Sequence, residues 1–151
     1  MIYRKGNLLN HVSGGVIMHG CNAQGVMGSG FAKEFKAKYP EAFQAYKSEI
    51  ADHSLEFGQT SWCILYPGLY LASSITQNTY GIDGSRYVSY DAIDLCIKEV
   101  IIFAQNKYCN INIPKIGAGL GGGSWDIISK IIEVNGQKLN FAHDKIIVWE
   151  L

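Results

Sequence analysis

Two glycine-rich runs, each wedged between an apolar strand-like segment and a helix-like one, constrain this chain more than any other feature. The first lies in VIMHGCNAQGVMGSGFAKEF, residues 16–35, with glycines at 25, 28 and 30; the second lies in NIPKIGAGLGGGSW, residues 112–125. Glycine loses more conformational freedom on folding than any other residue, so a cluster of it marks backbone that bends sharply or approaches something closely. A helix N-terminus behind such a loop offers unpaired N–H groups and a partial positive charge, which suits an anion. Two loops of this kind facing one crevice suit a pyrophosphate. The competing reading is that the glycines only make tight turns, although three in succession (Gly121 to Gly123) exceed what a turn needs.

The segments around the loops predict an α/β chain. Ile2 to Lys5 reads as a strand followed by a Gly6-Asn7 turn, and Val16 to Gly20 as a strand running into the first loop. Phe31 to Tyr39 and Glu41 to about Asp52 read as helices separated by Pro40. Ser61 to Leu65 and Leu69 to Ile75 form a hairpin around Tyr66-Pro67-Gly68. Ser89 to Lys107 carries the longest helical period. Asn110 to Lys115 is a strand, Ser124 caps a helix to about Val134, and Lys145 to Glu150 is the last strand. Alternating strands and helices imply a largely parallel sheet with helices on both faces, made mixed by the hairpin. Both glycine loops then leave carboxyl ends of strands, where open α/β sheets bind ligands.

Composition narrows the function. A chain of 151 residues, 48% hydrophobic and 17% charged, fits one folded domain, 1–151. Thirteen basic and thirteen acidic residues cancel, which disfavours nucleic acid or membrane as an electrostatic partner. No run is long enough to span a bilayer, and MIYRKGNLL lacks the apolar core of a signal peptide. Cys21, Cys63, Cys96 and Cys109 show neither CxxC nor metal-like spacing. Four reduced thiols in a cytoplasmic monomer, with no metal and no cofactor, are the expectation.

Two nucleotide templates fit poorly. Gly25 to Gly30 has Walker A spacing, but Phe31-Ala32 replaces the lysine and hydroxyl residue that the triphosphate and Mg²⁺ require. Gly117-x-Gly119-x-x-Gly122 matches the dinucleotide fingerprint, with Glu150 as a ribose acid, but it is a single C-terminal unit crowded by Trp125.

Taken together, GNLL near the start, VIMHGCNAQGVMGSGFAKEFKAKYP and IPKIGAGLGGGSW resemble the macrodomain family over nearly the whole chain. Within it they are most similar to the branch of terminal ADP-ribose glycohydrolases and yeast-type ADP-ribose 1''-phosphate phosphatases. The resemblance implies a three-layer α/β/α fold around a mixed sheet and ADP-ribose as the small-molecule ligand. It implies that Asn22 contacts the distal ribose and that Gly28, Ser29 and Gly30 form the first phosphate-side loop. Gly117, Ala118, Gly119, Leu120, Gly121, Gly122 and Gly123 form the second, whose amides wrap the pyrophosphate. Leu8, Gly20, Cys21, Thr76, Gln77 and Ile116 complete the implied ligand shell. Asn7 stands where many members carry an aspartate facing the adenine amine, and its carbonyl oxygen still accepts.

Two departures bear on the chemistry. The glycohydrolases' lysine is Gln77 here, which forms no Schiff base, and their loop aspartate is Gly121. His19 instead resembles a histidine of the yeast-type phosphatases. It is expected to protonate the leaving ribose oxygen or assist attack at the 1''-phosphate, with Asn22 orienting the ribose. A cysteine phosphatase is not indicated, since Met27 stands where Cys-x5-Arg needs arginine, and there is no Asp-x-Asp for Mg²⁺. Asp83 and Arg86 lie in a polar stretch that could cover the ribose, Arg86 pairing with a terminal phosphate; a solvated loop is the default. Tyr80 and Tyr87 could flank the ligand or simply pack. His11, His53 and His143 read as surface groups and Asp126 as a first-turn acid. The expected activity is hydrolysis of ADP-ribose 1''-phosphate. The rivals are an ADP-ribosyl hydrolase acting on a modified macromolecule and a non-catalytic ADP-ribose reader.

Overall fold

The computed structural model describes Met1–Leu151. Its strands are β1 (Ile2–Lys5), β2 (Gly15–Asn22), β3 (Thr60–Tyr66), β4 (Leu69–Gln77), β5 (Ile111–Ile113) and β6 (Ile146–Glu150). Its helices are α1 (Leu8–His11), α2 (Gly30–Lys38), α3 (Pro40–Ala51), α4 (Tyr90–Lys107) and α5 (Trp125–Lys138), with a 3-10 turn at His143–Lys145. The strands form one sheet in the order β1-β6-β5-β2-β4-β3. Every pairing is parallel except the β3–β4 hairpin.

Alternation along β2 builds the layers. Val16 and Met18 enter a core of 18 buried residues shared with α4 and α5, while Ile17 and Cys21 enter one of 14 shared with α1, α2 and α3. Connections lead outward in opposite senses on the two sides of β2, which has β4 on one side and β5 on the other, all three strands parallel. The carboxyl ends of β2 and β5 therefore flank a topological switch point, the position at which such sheets bind ligands.

Several boundaries differ from the sequence expectation for local reasons. The β5 ladder stops at Ile113 because Pro114 has no amide to donate. The last helix runs on to Lys138, since Asn135 bonds Asp94 at 2.8 Å and the missing side chain of Gly136 lets Phe141 approach. The expected Gly6-Asn7 turn is the lead-in to α1, whose N-cap is Asn7: its Oδ1 accepts from Leu9 N at 3.0 Å. Four residues carry too little period to announce a helix. Lys145 belongs to the 3-10 turn, leaving β6 to begin at Ile146.

Candidate functional site

The first glycine loop joins β2 to α2 and the second joins β5 to α5. Because β2 and β5 are adjacent and parallel, both loops rise from the same edge. They meet there: a Cβ built on Gly30 would lie 3.8 Å from Leu120 Cδ1. Along the first loop the amides of Gly28, Ser29, Gly30, Phe31 and Ala32 have no acceptor within the protein. Ser29 leaves the α2 terminus without a side-chain cap. Along the second, the amides of Gly117, Gly119, Leu120 and Gly121 are likewise unpaired. Facing N–H groups, one set at a helix N-terminus, form an anion-receptive pair of bends.

The glycines divide into two kinds. A Cβ on Gly117 or Gly123 would press within 2.8 or 2.6 Å of Val88 side-chain atoms, and one on Gly121 within 2.8 Å of Gly117 O. At Gly122, where φ is +72°, it would collide with the Ser85 carbonyl. Gly122 and Gly123 thus let residues 85–88 pack onto the loop, Gly121 lets it close against Gly117, and Tyr87 N and Val88 N both donate to Gly121 O. Gly119, by contrast, has nothing within 4 Å of such a Cβ, and Gly28 only Val26 Cγ1 at 3.6 Å. The open positions, Gly28 and Gly119, are the ones free to approach a ligand.

Asn22 is the organiser of the first loop. The β2–β4 register shifts between Cys21 and Asn22, and this bulge turns Asn22 toward α3. There Oδ1 accepts from Gln24 N at 3.0 Å and Val26 N at 3.3 Å, while Nδ2 donates to Val26 O at 2.8 Å. Its carboxamide holds the loop in shape and keeps one N–H to spare.

His19 is placed differently from the expectation. It points from β2 under α2, 1% exposed, with its ring 4.0 Å from Phe35 and 5.7 Å from Phe31. Nε2 lies 3.0 Å from Ser73 Oγ, on the paired strand. Burial lowers its pKa to about 3. Buried and paired with Ser73, the imidazole is held neutral at about pH 7, so a role in proton transfer from this position would require access that α2 and its phenylalanines block. Cys21, with Sγ 3.6 Å from His19 Nε2, is also buried and its thiol pKa is raised by desolvation. It is no nucleophile.

The remaining expected residues fall around the same edge. Gly20 lets Thr76 and Ile116 close over β2: a Cβ there would lie 2.7 Å from Thr76 Oγ1, an atom buried without a hydrogen-bond partner. Gln77 donates to Thr79 O and pairs with Val88. Ala118 N donates to Lys115 O. Arg86 stacks over Tyr90, 4.5 Å from its centroid, and Tyr90 Oη accepts from Ser124 N. Asp83 accepts from Tyr87 Oη at 2.6 Å, so this stretch is a structured strap. Asp126 sits in the first turn of α5.

A cavity of about 850 Å³ opens between the start of α1, the start of α2 and the end of β6. Asn7, Leu8, Gly30, Phe31, Glu34, Lys115, Trp149 and Glu150 line it. Asn7 Nδ2 reaches Glu34 Oε2 at 3.3 Å, and Lys115 pairs with Glu150 at 2.7 Å. Sequence reasoning missed Phe31, Glu34, Lys115 and Trp149 here. Their signal was available only in the spatial proximity of α2 to the ends of β5 and β6. No group of three His, Cys, Asp or Glu side chains is arranged to hold a metal ion, and no helix is long and apolar enough to cross a membrane.

Fold and site thus define an α/β/α protein with an anion-receptive crevice at the switch point of a mixed sheet. Residues 18–132 match the Macro domain family model, and the chain belongs to that family. A 17.5 kDa protein from the tk-vs intergenic region of Enterobacteria phage T4 is 33% identical over 153 residues, covering 98% of this chain and 96% of its own. An ADP-ribose 1''-phosphate phosphatase of Debaryomyces hansenii is 25% identical, covering 97% of each chain. Among solved structures, a Bacteroides thetaiotaomicron protein of unknown function superposes with a TM-score of 0.88 at 29% identity, covering 99% of this chain and 97% of that one. The macrodomain of Mycobacterium tuberculosis DarG gives 0.82 at 22% identity, over 99% and 97%, a likeness of fold.

Proposed function

We propose that this chain binds ADP-ribose across the two glycine loops and hydrolyses ADP-ribose 1''-phosphate to ADP-ribose and phosphate. The observation that carries the reading is the meeting of the loops at Leu120 and Gly30, with unpaired amides on both sides. Such donors neutralise a diphosphate without a metal, and the same kind of donor stabilises charge growing on phosphoryl oxygens. Relatives named for this phosphatase activity support the substrate. Water supplies the hydroxyl that reaches phosphorus as the bond to the 1''-oxygen breaks, and its proton ends on that oxygen. Asn22 acts by holding the first loop in place. The ligand is a small molecule and the working unit a monomer in a reducing, intracellular setting.

The burial of His19 favours a second reading, an ADP-ribose reader without turnover, because it leaves the crevice without an imidazole acid. Phosphate release from ADP-ribose 1''-phosphate, measured beside calorimetric binding of ADP-ribose, separates the two. Release with turnover supports the phosphatase. Heat of binding without release supports the reader. No heat at millimolar ADP-ribose overturns both. A His19→Gln protein is expected to turn over near the parent rate under the phosphatase reading.

A further inference from the structure

A second cavity, of about 270 Å³, lies on the sheet face formed by β1, β6 and β5, beside the end of α1. Arg4, His11, Ser13, Asn110, Asn112 and Trp149 line it. Its chemistry differs from that of the large cavity. There, lysines and glutamates face each other and Lys115 and Glu150 pair off. Here no Asp or Glu lines the wall, so the Arg4 charge stands alone. Arg4 makes no ion pair or hydrogen bond; its guanidinium carbon rests 5.9 Å from the centroid of Trp149, its register partner on β6. His11 stacks on the same indole, 5.4 Å away and 5° from parallel, with its ring nitrogens unbonded. On the floor, Asn112 is 5% exposed. Its Oδ1 accepts from Trp149 Nε1 at 3.0 Å and its Nδ2 makes one long contact, 3.4 Å, to Val16 O. One buried N–H of that carboxamide has no partner.

The geometry points to a binding site for a phosphate group in this cavity, with Arg4 as the charged fork, His11 and Asn112 Nδ2 as further donors, and Trp149 as the wall. Donors with no carboxylate among them, around an unpaired guanidinium, are what a tetrahedral oxyanion matches. The volume is just below the range of about 300–1,000 Å³ that accommodates drug-sized ligands, so one small group fits. Trp149 also lines the large cavity. The phosphate therefore arrives either as the free ion or as an ester carried by a nucleotide seated next door.

Inorganic phosphate titrated into protein carrying ¹⁵N-histidine tests the site, the His11 ring signals being assigned by their loss in His11→Gln. A saturating shift at His11, absent at His53 and His143 and weakened about tenfold or more in Arg4→Gln, is expected. A shift that never saturates, or that is the same in Arg4→Gln, overturns the site. Arg4→Gln is expected to bind ADP-ribose as the parent does, which shows that it folds. Calorimetry with AMP and adenosine 3',5'-bisphosphate then assigns the source. An affinity gain from the added phosphate that disappears in Arg4→Gln means a nucleotide-borne group, and equal affinities mean the free ion. If neither nucleotide binds, the phosphate titration alone decides this cavity, while the proposed function stands or falls on ADP-ribose binding by the parent, measured beside it.

Discussion

The phenol of Tyr46, on α3, donates to the main-chain oxygen of Asn22 at 2.5 Å and lies 3.1 Å from its Oδ1. A fully buried side chain thereby fastens the bulge that shapes the first glycine loop. Tyr46→Phe keeps the packing and removes the hydroxyl. Loss of about 1–3 kcal/mol is expected, the cost of leaving a buried acceptor unpaired, read as a lower urea midpoint. ADP-ribose affinity should fall several-fold in calorimetry. Unchanged affinity beside the lost stability would show that the loop keeps its shape without this tie.

His19 makes stability depend on pH. Its folded pKa is about 3 against an ordinary 6.5, so between these values the unfolded chain binds a proton that the native chain does not. Its contribution is complete above pH 6.5 and is lost as pH falls toward 3. The slope is about 1.4 kcal/mol per pH unit, so moving from about pH 7 to about pH 5 should cost about 2 kcal/mol. Urea unfolding of the parent and of His19→Gln at both values checks this. The variant should be flatter by that amount, and parallel curves would mean that the imidazole is hydrated.

The fold was legible because its signals are local: apolar runs of strand length, a Tyr-Pro-Gly hairpin, and glycine loops set between strands and helices. That both loops leave carboxyl ends of strands followed from element order; that those strands are neighbours, β5 beside β2, did not. What the chain order did not give was the placement of single residues. His19 lies on the odd-numbered face of β2, with Ile17 and Cys21, and that face is covered by α2. Strict alternation would have put it inside, but resemblance suggested a reacting group. Gly121 to Gly123 also carry packing: their close neighbours are Val88, Ser85 and Gly117, whose approach no sequence spacing announces. The cleft walls from β6 and α2 were equally hidden, since chain order does not say that Trp149 and Phe31 face one cavity.

The four thiols should sort by burial under alkylation. Cys21 and Cys96 are enclosed, and desolvation raises the pKa of both, that of Cys96 to about 12. Cys63 and Cys109 are only partly buried. Iodoacetamide on the native protein, followed by mass spectrometry, should modify Cys63 and Cys109 first and reach the other pair only as the fold opens. Early labelling of Cys21 would mean that the strand beneath the first loop opens readily.

Two glycine substitutions in one loop should part stability from binding. Gly122→Ala places a methyl against the Ser85 carbonyl, 3.0 Å from Arg86 Cα, at a φ of +72°. Backbone strain of about 1–3 kcal/mol adds to the clash, so Tm should drop and the 85–88 strap should detach. Gly119→Ala meets nothing within 4 Å, and it adds bulk only on the open side, beside unpaired amides. Its Tm should stay close to the parent value, while ADP-ribose affinity falls because the methyl occupies the approach to those donors. The contrast is the test: if Gly119→Ala binds as the parent does, the second loop does not supply the donors that face the diphosphate. If Gly122→Ala melts as the parent does, the triple glycine is not required by packing, and the division of this loop into a structural half and a ligand-facing half fails.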